Sequence, residues 1–308
     1  MIGRLLPVLV AAAAVAAFAQ APRAPLKPPP GGAIHVHGAA PGASDATTPL
    51  PEGIMVSAQS VDSRYFGMTY AIPAGWTEKV QGPPPSDSGT YVLALLVPSH
   101  KPGNAERGSI LIQAQDLFFS AAPVANSAEL VSYARRHLPP SQQVQREPWD
   151  VKLGAYTFTR LDYGAADVGL YWRVAATEIR CHAVQFVFTG PDPATLDRMV
   201  GDLAHLAPRK TNAPLCVANY AVPANIVERV DPRFPTHRFN AIPVRLIIDR
   251  KGRVKHVHVI SAFPEQSAAL TGSLMKWRFK PYLKNGEPVE IETGILLGHA
   301  PPATRADR

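Results

Sequence analysis

VRLIIDRKGRVKHVHVI, residues 244–260, decides the architecture of the last quarter of the chain. Two apolar, β-branched runs flank Asp249-Arg250-Lys251-Gly252, where a glycine supplies the positive φ that a tight turn needs. The stretch therefore reads as a β-hairpin. After Pro264, EQSAALTGSLMKW sets Ala268, Ala269, Gly272, Leu274 and Met275 on a helix, with small residues on one side that allow close packing on a sheet. WRFKPYL returns as an extended segment, Asn285-Gly286 makes a turn, and PVEIETGILL closes as a strand with Ile291, Thr293 and Ile295 on one face. The expectation is a small β-β-α-β domain over 224–299, with a disordered tail at 300–308.

Four short motifs stand in order along this domain: Asp231-Pro232-Arg233-Phe234-Pro235; Ile248-Asp249 through Gly252 to Val254; Trp277-Arg278-Phe279-Lys280-Pro281; and Asn285-Gly286-Glu287-Pro288-Val289. Together they resemble the C-terminal domain of the TonB family. Their physics is structural. Trp277 and Phe279 are expected to fill the core, Gly252 and Gly286 to make turns, and Pro281 and Pro288 to fix chain direction at strand ends. The resemblance implies a different place for function: the last strand, through Val289, Glu290, Ile291, Glu292, Thr293, Gly294 and Ile295, offers an open edge to which an extended partner peptide adds. Two departures limit what is carried over. TonB energy transducers keep an N-terminal membrane helix with a Ser and a His on one face, and residues 1–18 have neither. A folded domain also stands where TonB has only a long proline-rich spacer.

That preceding region, 53–208, reads as an antiparallel-sheet α/β sandwich. YVLALLVP and SILIQAQDLFF are strands joined by a polar loop. ELVSYARRHL is a helix capped by Asn126 or Ser127 and stopped by Pro139-Pro140. EPWDVKL, AYTFTRLDYGA, GLYWRVAATEI and RCHAVQFVFTG follow as strands, and a helix capped by Asp192 runs from about Pro193 to Leu206. The fold class is thus α+β. YFGMTYAIPAGW and the element order over about 60–207 resemble PsbP-like domains, which are mostly binding or assembly modules. Trp76, Trp149 and Trp172 read as core or rim packing, with a ligand pocket as the alternative.

At the other end, Arg4, an apolar run to Phe18 and Ala17-Phe18-Ala19 make residues 1–19 a cleavable signal peptide. The apolar run falls short of the ~20 residues that span a bilayer. Residues 20–52, rich in Pro, Gly and Ala, read as a disordered linker; residues 209–223 form a second linker. The expected location is the periplasm of a Gram-negative bacterium, with outer-membrane association open.

Of the 308 residues 32 are proline, and nine of these fall within the first 51, which locates the spacer. The formal charge of +7 divides unevenly: residues 211–308 hold 14 Lys and Arg against 8 Asp and Glu, and residues 1–210 hold 17 against 16. The basic C-terminal domain points to an anionic envelope surface as a partner and, in an exported chain, away from nucleic acid. His35-x-His37 and His256-x-His258 lack a third ligand at metal spacing, so no metal is expected. Cys181 and Cys216, the only cysteines, form no CxxC; export permits a disulfide between them, worth about 3 kcal/mol, with two free thiols as the alternative.

No nucleotide-binding, zinc-peptidase or serine-hydrolase motif occurs, and Ser273-Leu274-Met275-Lys276 matches S-x-x-K without its companion motifs. The reading is a non-catalytic exported protein, without cofactor, that binds an envelope protein or peptide in envelope transport or assembly. The alternatives are a TonB-type energy transducer with a retained anchor, and a small-ligand-binding or enzymatic N-terminal domain.

Overall fold

Ser109–Asp116 reads SILIQAQD, and every second side chain is buried, the period of a strand with one face on a core. The computed structural model describes residues 32–36 (backbone only), 42–80, 89–99, 108–119, 124–208, 213–233 and 241–298. The segment expected to be a signal peptide, most of the expected spacer before residue 42, His37, Phe234, Pro235 and the tail at 300–308 lie outside the described residues, as does the His35 side chain.

Ser109–Asp116 sits inside a seven-stranded antiparallel sheet, in the order Trp76–Val80, Thr90–Pro98, Ser109–Asp116, His182–Gly190, Leu170–Ile179, Tyr156–Ala165 and Gln143–Leu153. Successive residues on one strand serve opposite faces. Val174 and Ala176 pack with Val131 of the helix Ser127–Arg136. Ala175 joins the larger core, where the helix Pro193–Asp202 contributes Leu196, Met199 and Val200. Short strands at Gly53–Ser57, Ser60–Ser63 and Met68–Ala71 close that core with Ile54, Val61 and Met68. Both helices begin as expected: Asn126 accepts from the Glu129 amide at 2.8 Å, and Asp192 accepts from the amides of Ala194 and Thr195, which satisfies otherwise orphaned donors. The region is α+β, dominated by sheet.

The C-terminal hairpin pairs Ile242–Ile248 with Val254–Val259, and Ile291–Leu297 lies antiparallel on the other side of the first strand. The helix Pro264–Leu274 packs on this sheet with Leu270 and Leu274 beside Val244, Leu246, Trp277 and Phe279. Asp249 accepts from the amides of Lys251 (2.8 Å) and Arg253 (2.9 Å) and so organises the turn. Gly252 has φ +76°, and a Cβ there would meet the Phe279 carbonyl oxygen. That carbonyl approaches because the Phe279 amide donates to the Gly252 carbonyl at 2.8 Å. Trp277 donates from its indole nitrogen to the Val230 carbonyl at 2.7 Å. The spacing from Asp249 through Gly252 to Trp277 and Phe279 is therefore one physical unit. Of WRFKPYL, Arg278–Phe279 is strand, paired with Ile226–Glu228, and Leu283 opens a second two-residue strand with Lys284, paired with Glu287–Pro288.

The spacer expectation fails from residue 42 onward, and in part before it. Gly32–Val36 pairs with Gly53–Ser57. Gly42–Ala43 pairs with Val259 and His258 on the outer edge of the C-terminal hairpin. Residues 42–52 then run along the junction, and Glu52 is buried. Composition misleads here because strand pairing uses backbone groups, which Gly and Ala supply as well as any residue. Part of the second linker is likewise ordered: Leu215–Cys216 forms a short strand and Pro223–Asn225 a 3-10 turn.

Replacing Gly252 by Ala is expected to cost about 2–3 kcal/mol, because positive φ and a blocked backbone contact add. Gly286→Ala, at φ +84° with nothing within 4 Å, should cost about 1 kcal/mol. Urea unfolding of the two variants checks this, and equal losses would show that the turn conformation alone matters.

Candidate functional site at the junction of the two regions

Four charged side chains in strands or at strand ends are almost wholly removed from solvent: Asp116, Arg180, Arg245 and Glu292. Burial of an ion is costly unless a partner and hydrogen bonds compensate, so such residues must find each other. They do. Glu292 Oε1 accepts from the Tyr65 hydroxyl at 2.7 Å and from Arg245 Nε at 3.0 Å, and its Oε2 lies 2.8 Å from Arg180 Nε. Arg245 reaches on through its second nitrogen to Asp116 Oδ2. Asp116 Oδ1 takes the Phe118 amide at 2.8 Å. Arg180, at φ +59° in the turn between two long strands, lies over the Tyr65 ring at 3.8 Å and donates to the Tyr65 carbonyl at 3.0 Å. Asp116, Arg180 and Tyr65 belong to the first region, Arg245 and Glu292 to the second.

Burial alone would raise Glu292, but Arg245 and Arg180 hold its carboxyl below the usual range. Asp116 goes the other way: burial pushes it up, and the single guanidinium of Arg245, shared with Glu292, only partly offsets this. His182 lies beside this cluster, fully buried, with Tyr65, Phe66 and Tyr91 edge-on around its ring. Neither of its ring nitrogens has a hydrogen-bond partner among the described residues, and Nε2 stands 3.7 Å from Asp116. Burial, then the positive field of Arg245 and Arg180, keeps His182 neutral, well below its ordinary value.

The segment 42–52 is fastened by the two histidines that alternate on the hairpin's outer strand. His256 Nδ1 donates to Asp45 Oδ2 at 2.7 Å, and His258 Nε2 pairs with Glu52 Oε1 at 2.9 Å. Ser44 bonds the Val257 carbonyl through its amide at 2.9 Å. Burial lowers the His256 value despite Asp45. Asp45 itself, opposed by burial, is held well below the carboxylate range by Thr48, His256 and Thr47. The pair is thus a neutral imidazole on a carboxylate. Among the described residues no group of three or more His, Cys, Asp or Glu side chains is placed to hold a metal ion.

The expected open edge is closed. Leu215 and Val217 donate their amides to the carbonyls of Glu290 (2.9 Å) and Glu292 (3.0 Å), laying residues 215–217 parallel to the start of the last strand. Further along, the rings of Phe118 and Phe119 occupy the space a Cβ on Gly294 would need. Thr293 Oγ1 accepts from the Tyr220 amide. The side chains of Glu292 and Thr293 point into the structure rather than outward. Cys216, in the covering segment, forms a disulfide with the buried Cys181, their Cα atoms 5.5 Å apart.

Trp277, Phe279 and Val254 are buried, Asp249 and Gly252 hold the turn, and Arg278 donates to the Trp277 carbonyl at 3.0 Å. Pro281 and Pro288 are exposed, and Pro232 is half-buried. The tryptophans do not converge. Trp149 lies under Arg146 and Arg160, and Trp172 stacks on Tyr163 at 5.3 Å. Trp76 lines an apolar cavity of about 260 Å³ with Pro98, Leu196 and Met199, where the one titrating group among the lining residues is Asp192, already committed to its helix cap.

Residues 241–296 match the family described as Gram-negative bacterial TonB protein C-terminal. No curated protein matches the chain. Similar solved structures include a protein of unknown function, PA94, from Pseudomonas aeruginosa (21% identity, TM-score 0.29, covering 46% of this chain and 92% of that one). Cyanobacterial PsbP from Synechocystis sp. PCC 6803 is similar at 9% identity, with a TM-score of 0.31, over 48% of this chain and 88% of its own. LpqN of Mycobacterium tuberculosis, described as involved in cell envelope biogenesis, is similar at 13% identity, with a TM-score of 0.29, over 44% and 76%.

Arg245→Met leaves Asp116 and Glu292 buried without their shared cation, and is expected to cost about 3–5 kcal/mol in urea unfolding; adding Asp116→Asn should recover part of it. The pH dependence has a defined sign. The lowered values of His182 and His256 mean that the folded chain binds fewer protons than the unfolded one, so their contribution is full above about pH 6.5 and is lost as pH falls. Asp45 and Glu292 extend the loss further into acid. Asp116 opposes it, stabilising only where it is protonated. Thermal melts from pH 8 to pH 5 should fall on the acid side, by up to about 1.4 kcal/mol per pH unit for each histidine, and His256→Gln should flatten the slope.

Proposed function

We propose that this is an exported, non-catalytic protein of the Gram-negative envelope whose C-terminal domain binds a protein partner. The observation that carries the reading is the match of residues 241–296 to the TonB C-terminal family; among the described motif residues Trp277, Phe279 and Val254 are buried and Asp249 and Gly252 hold a turn, which supports a structural role for them. Three features support it. The chain opens with an export signal pattern; the C-terminal 98 residues carry 14 basic against 8 acidic side chains; and the cavity beside Trp76 lacks convergent ionisable groups. No helix among the described residues is long and apolar enough to cross a membrane.

Under this reading the chain divides into a signal peptide, a short spacer, an α+β body and the TonB-like domain, with the body fixing the orientation of that domain through the buried ion cluster. The binding surface is the basic side of the domain, where Arg250, Lys255 and Lys284 line a cleft of about 760 Å³, and its partner presents acidic groups there.

Osmotic-shock fractionation followed by N-terminal sequencing is expected to find the chain in the periplasmic fraction, starting at Gln20. A membrane-bound chain starting at Met1 would favour an energy transducer instead. A photo-crosslinking amino acid at position 250, in the full chain expressed in its own cells, should trap one envelope protein, and Lys255→Glu should weaken that capture. Absence of any adduct would remove the binding role.

A further inference from the structure

The covered edge of the last strand is the feature that the proposed function leaves unexplained. Its cover is slight: Leu215–Cys216 is a two-residue strand, held by the Leu215 and Val217 amides, with Leu215 and Val217 only partly buried against the core. So short a pairing does not hold itself; the net value of each hydrogen bond is small because water competes for the same groups. What fastens it is covalent. Cys216 is bonded to Cys181, which is itself wholly buried at the head of the strand next to Arg180 and His182. Cys181 is thus fixed to the body, and Cys216 rides on the cover. Cys216 is also the exposed partner, and it lines the basic cleft with Arg250, Lys255, Lys284 and Glu290. Lys255 reaches Glu290 at 2.9 Å, so the cations stand directly along the edge that the cover occupies. A cationic cleft opening on an exposed sulfur favours approach of a thiolate.

We infer that the outer edge of the last strand, from Glu290 to Glu292, is a docking site for one extended acidic segment of a partner protein, that residues 215–217 are its built-in occupant, and that the Cys181–Cys216 disulfide decides which of the two holds the site. This rests on the partner-binding reading above. The occupant already present fixes the geometry: an incoming segment lies parallel to the last strand, gives its amides to the Glu290 and Glu292 carbonyls, and sets its acidic side chains against Arg250, Lys255 and Lys284. Release requires a protein dithiol as reductant. Its thiolate bonds to Cys216 Sγ as the Cys181–Cys216 bond breaks, the electron pair passing to Cys181 Sγ, which takes a proton. The second thiol of the reductant then attacks the mixed disulfide and frees Cys216 as a thiol. The reductant leaves as a disulfide, and this chain is left with two thiols.

The test uses the full mature chain in three forms: oxidised, reduced in place with TCEP, and as the Cys181→Ser/Cys216→Ser variant. Hydrogen exchange should show the Leu215 and Val217 amides at least tenfold faster in the reduced and variant forms, with the Leu246 amide in the centre of the sheet unchanged. A fluorescein-labelled peptide, DLSVD, should bind the reduced and variant forms at least tenfold more tightly than the oxidised one, and Lys284→Glu with Arg250→Glu should reverse that gain. Reduction in place keeps the readout available if the variant folds poorly. Amides at 215 and 217 that stay protected after reduction, or peptide binding that is equal in all three forms, would overturn the gate whatever partner the protein has. Faster amides and gated peptide binding, with no envelope protein crosslinked at position 250, would leave the gate standing and remove the partner reading alone.

Discussion

Everything in this molecule is arranged around the bonding of Arg245 to Glu292 and Asp116. An isolated guanidinium in that position would cost several kcal/mol; it is tolerable because both carboxylates bond to it, while the Tyr65 hydroxyl and Arg180 in turn compensate Glu292. Since these groups come from strands of both regions, neither region reaches its native charge balance alone. Such a cluster contributes little net stability compared with an apolar core of equal size, but it fixes register: sliding the last strand by one residue would carry Glu292 to the opposite face, away from Arg245 and Arg180, and leave Arg245 with Asp116 alone.

The same cluster explains what was and was not legible in the sequence. The C-terminal hairpin could be read because Asp249 and Gly252 carry their own instructions, one through side-chain hydrogen bonds to its turn and the other through its φ. Helix starts at Asn126 and Asp192 were legible for the same local reason. The ordered strap at residues 42–52 was not, since its order depends on residues more than 200 positions away: Asp45 finds His256, and Glu52 finds His258. Composition correctly reports that this segment brings little apolar surface, yet it is held by backbone pairing and two ionisable contacts, which composition cannot count. One signal was available. A single charge inside an otherwise apolar strand, as with Arg245 in VRLII or Arg180 between two apolar runs, demands a buried partner.

The histidines show how burial changes the meaning of a motif. His256 and His258, two apart on a strand, look like a ligand pair in sequence. In the fold each is taken by a separate carboxylate of the strap, and what they provide is attachment. His182, with no hydrogen-bond partner among the described residues and three aromatic rings about it, fills space as a neutral ring between the charge cluster and the apolar core.

A three-stranded sheet has two edges, and an unpaired edge invites any extended chain. Here both are covered by the protein's own backbone: Gly42 and Ala43 on the hairpin's outer strand, Leu215 and Cys216 on the last strand. Two-residue pairings are too weak to persist by hydrogen bonding alone, since each bond nets about 1 kcal/mol against water. Each cover therefore needs a side-chain fastening, and the fastenings differ in kind. The strap is held by imidazole–carboxylate contacts, of which the one between His256 and Asp45 is linked to pH through the lowered values of both groups; the other cover is held by a disulfide, whose persistence depends on thiol redox poise. Because the Arg245–Glu292 bonding lies inside the sheet and uses neither cover, the register of the three central strands is fixed independently of what pairs with either edge, which is the condition a docking edge must meet if the rest of the fold is to stay in place.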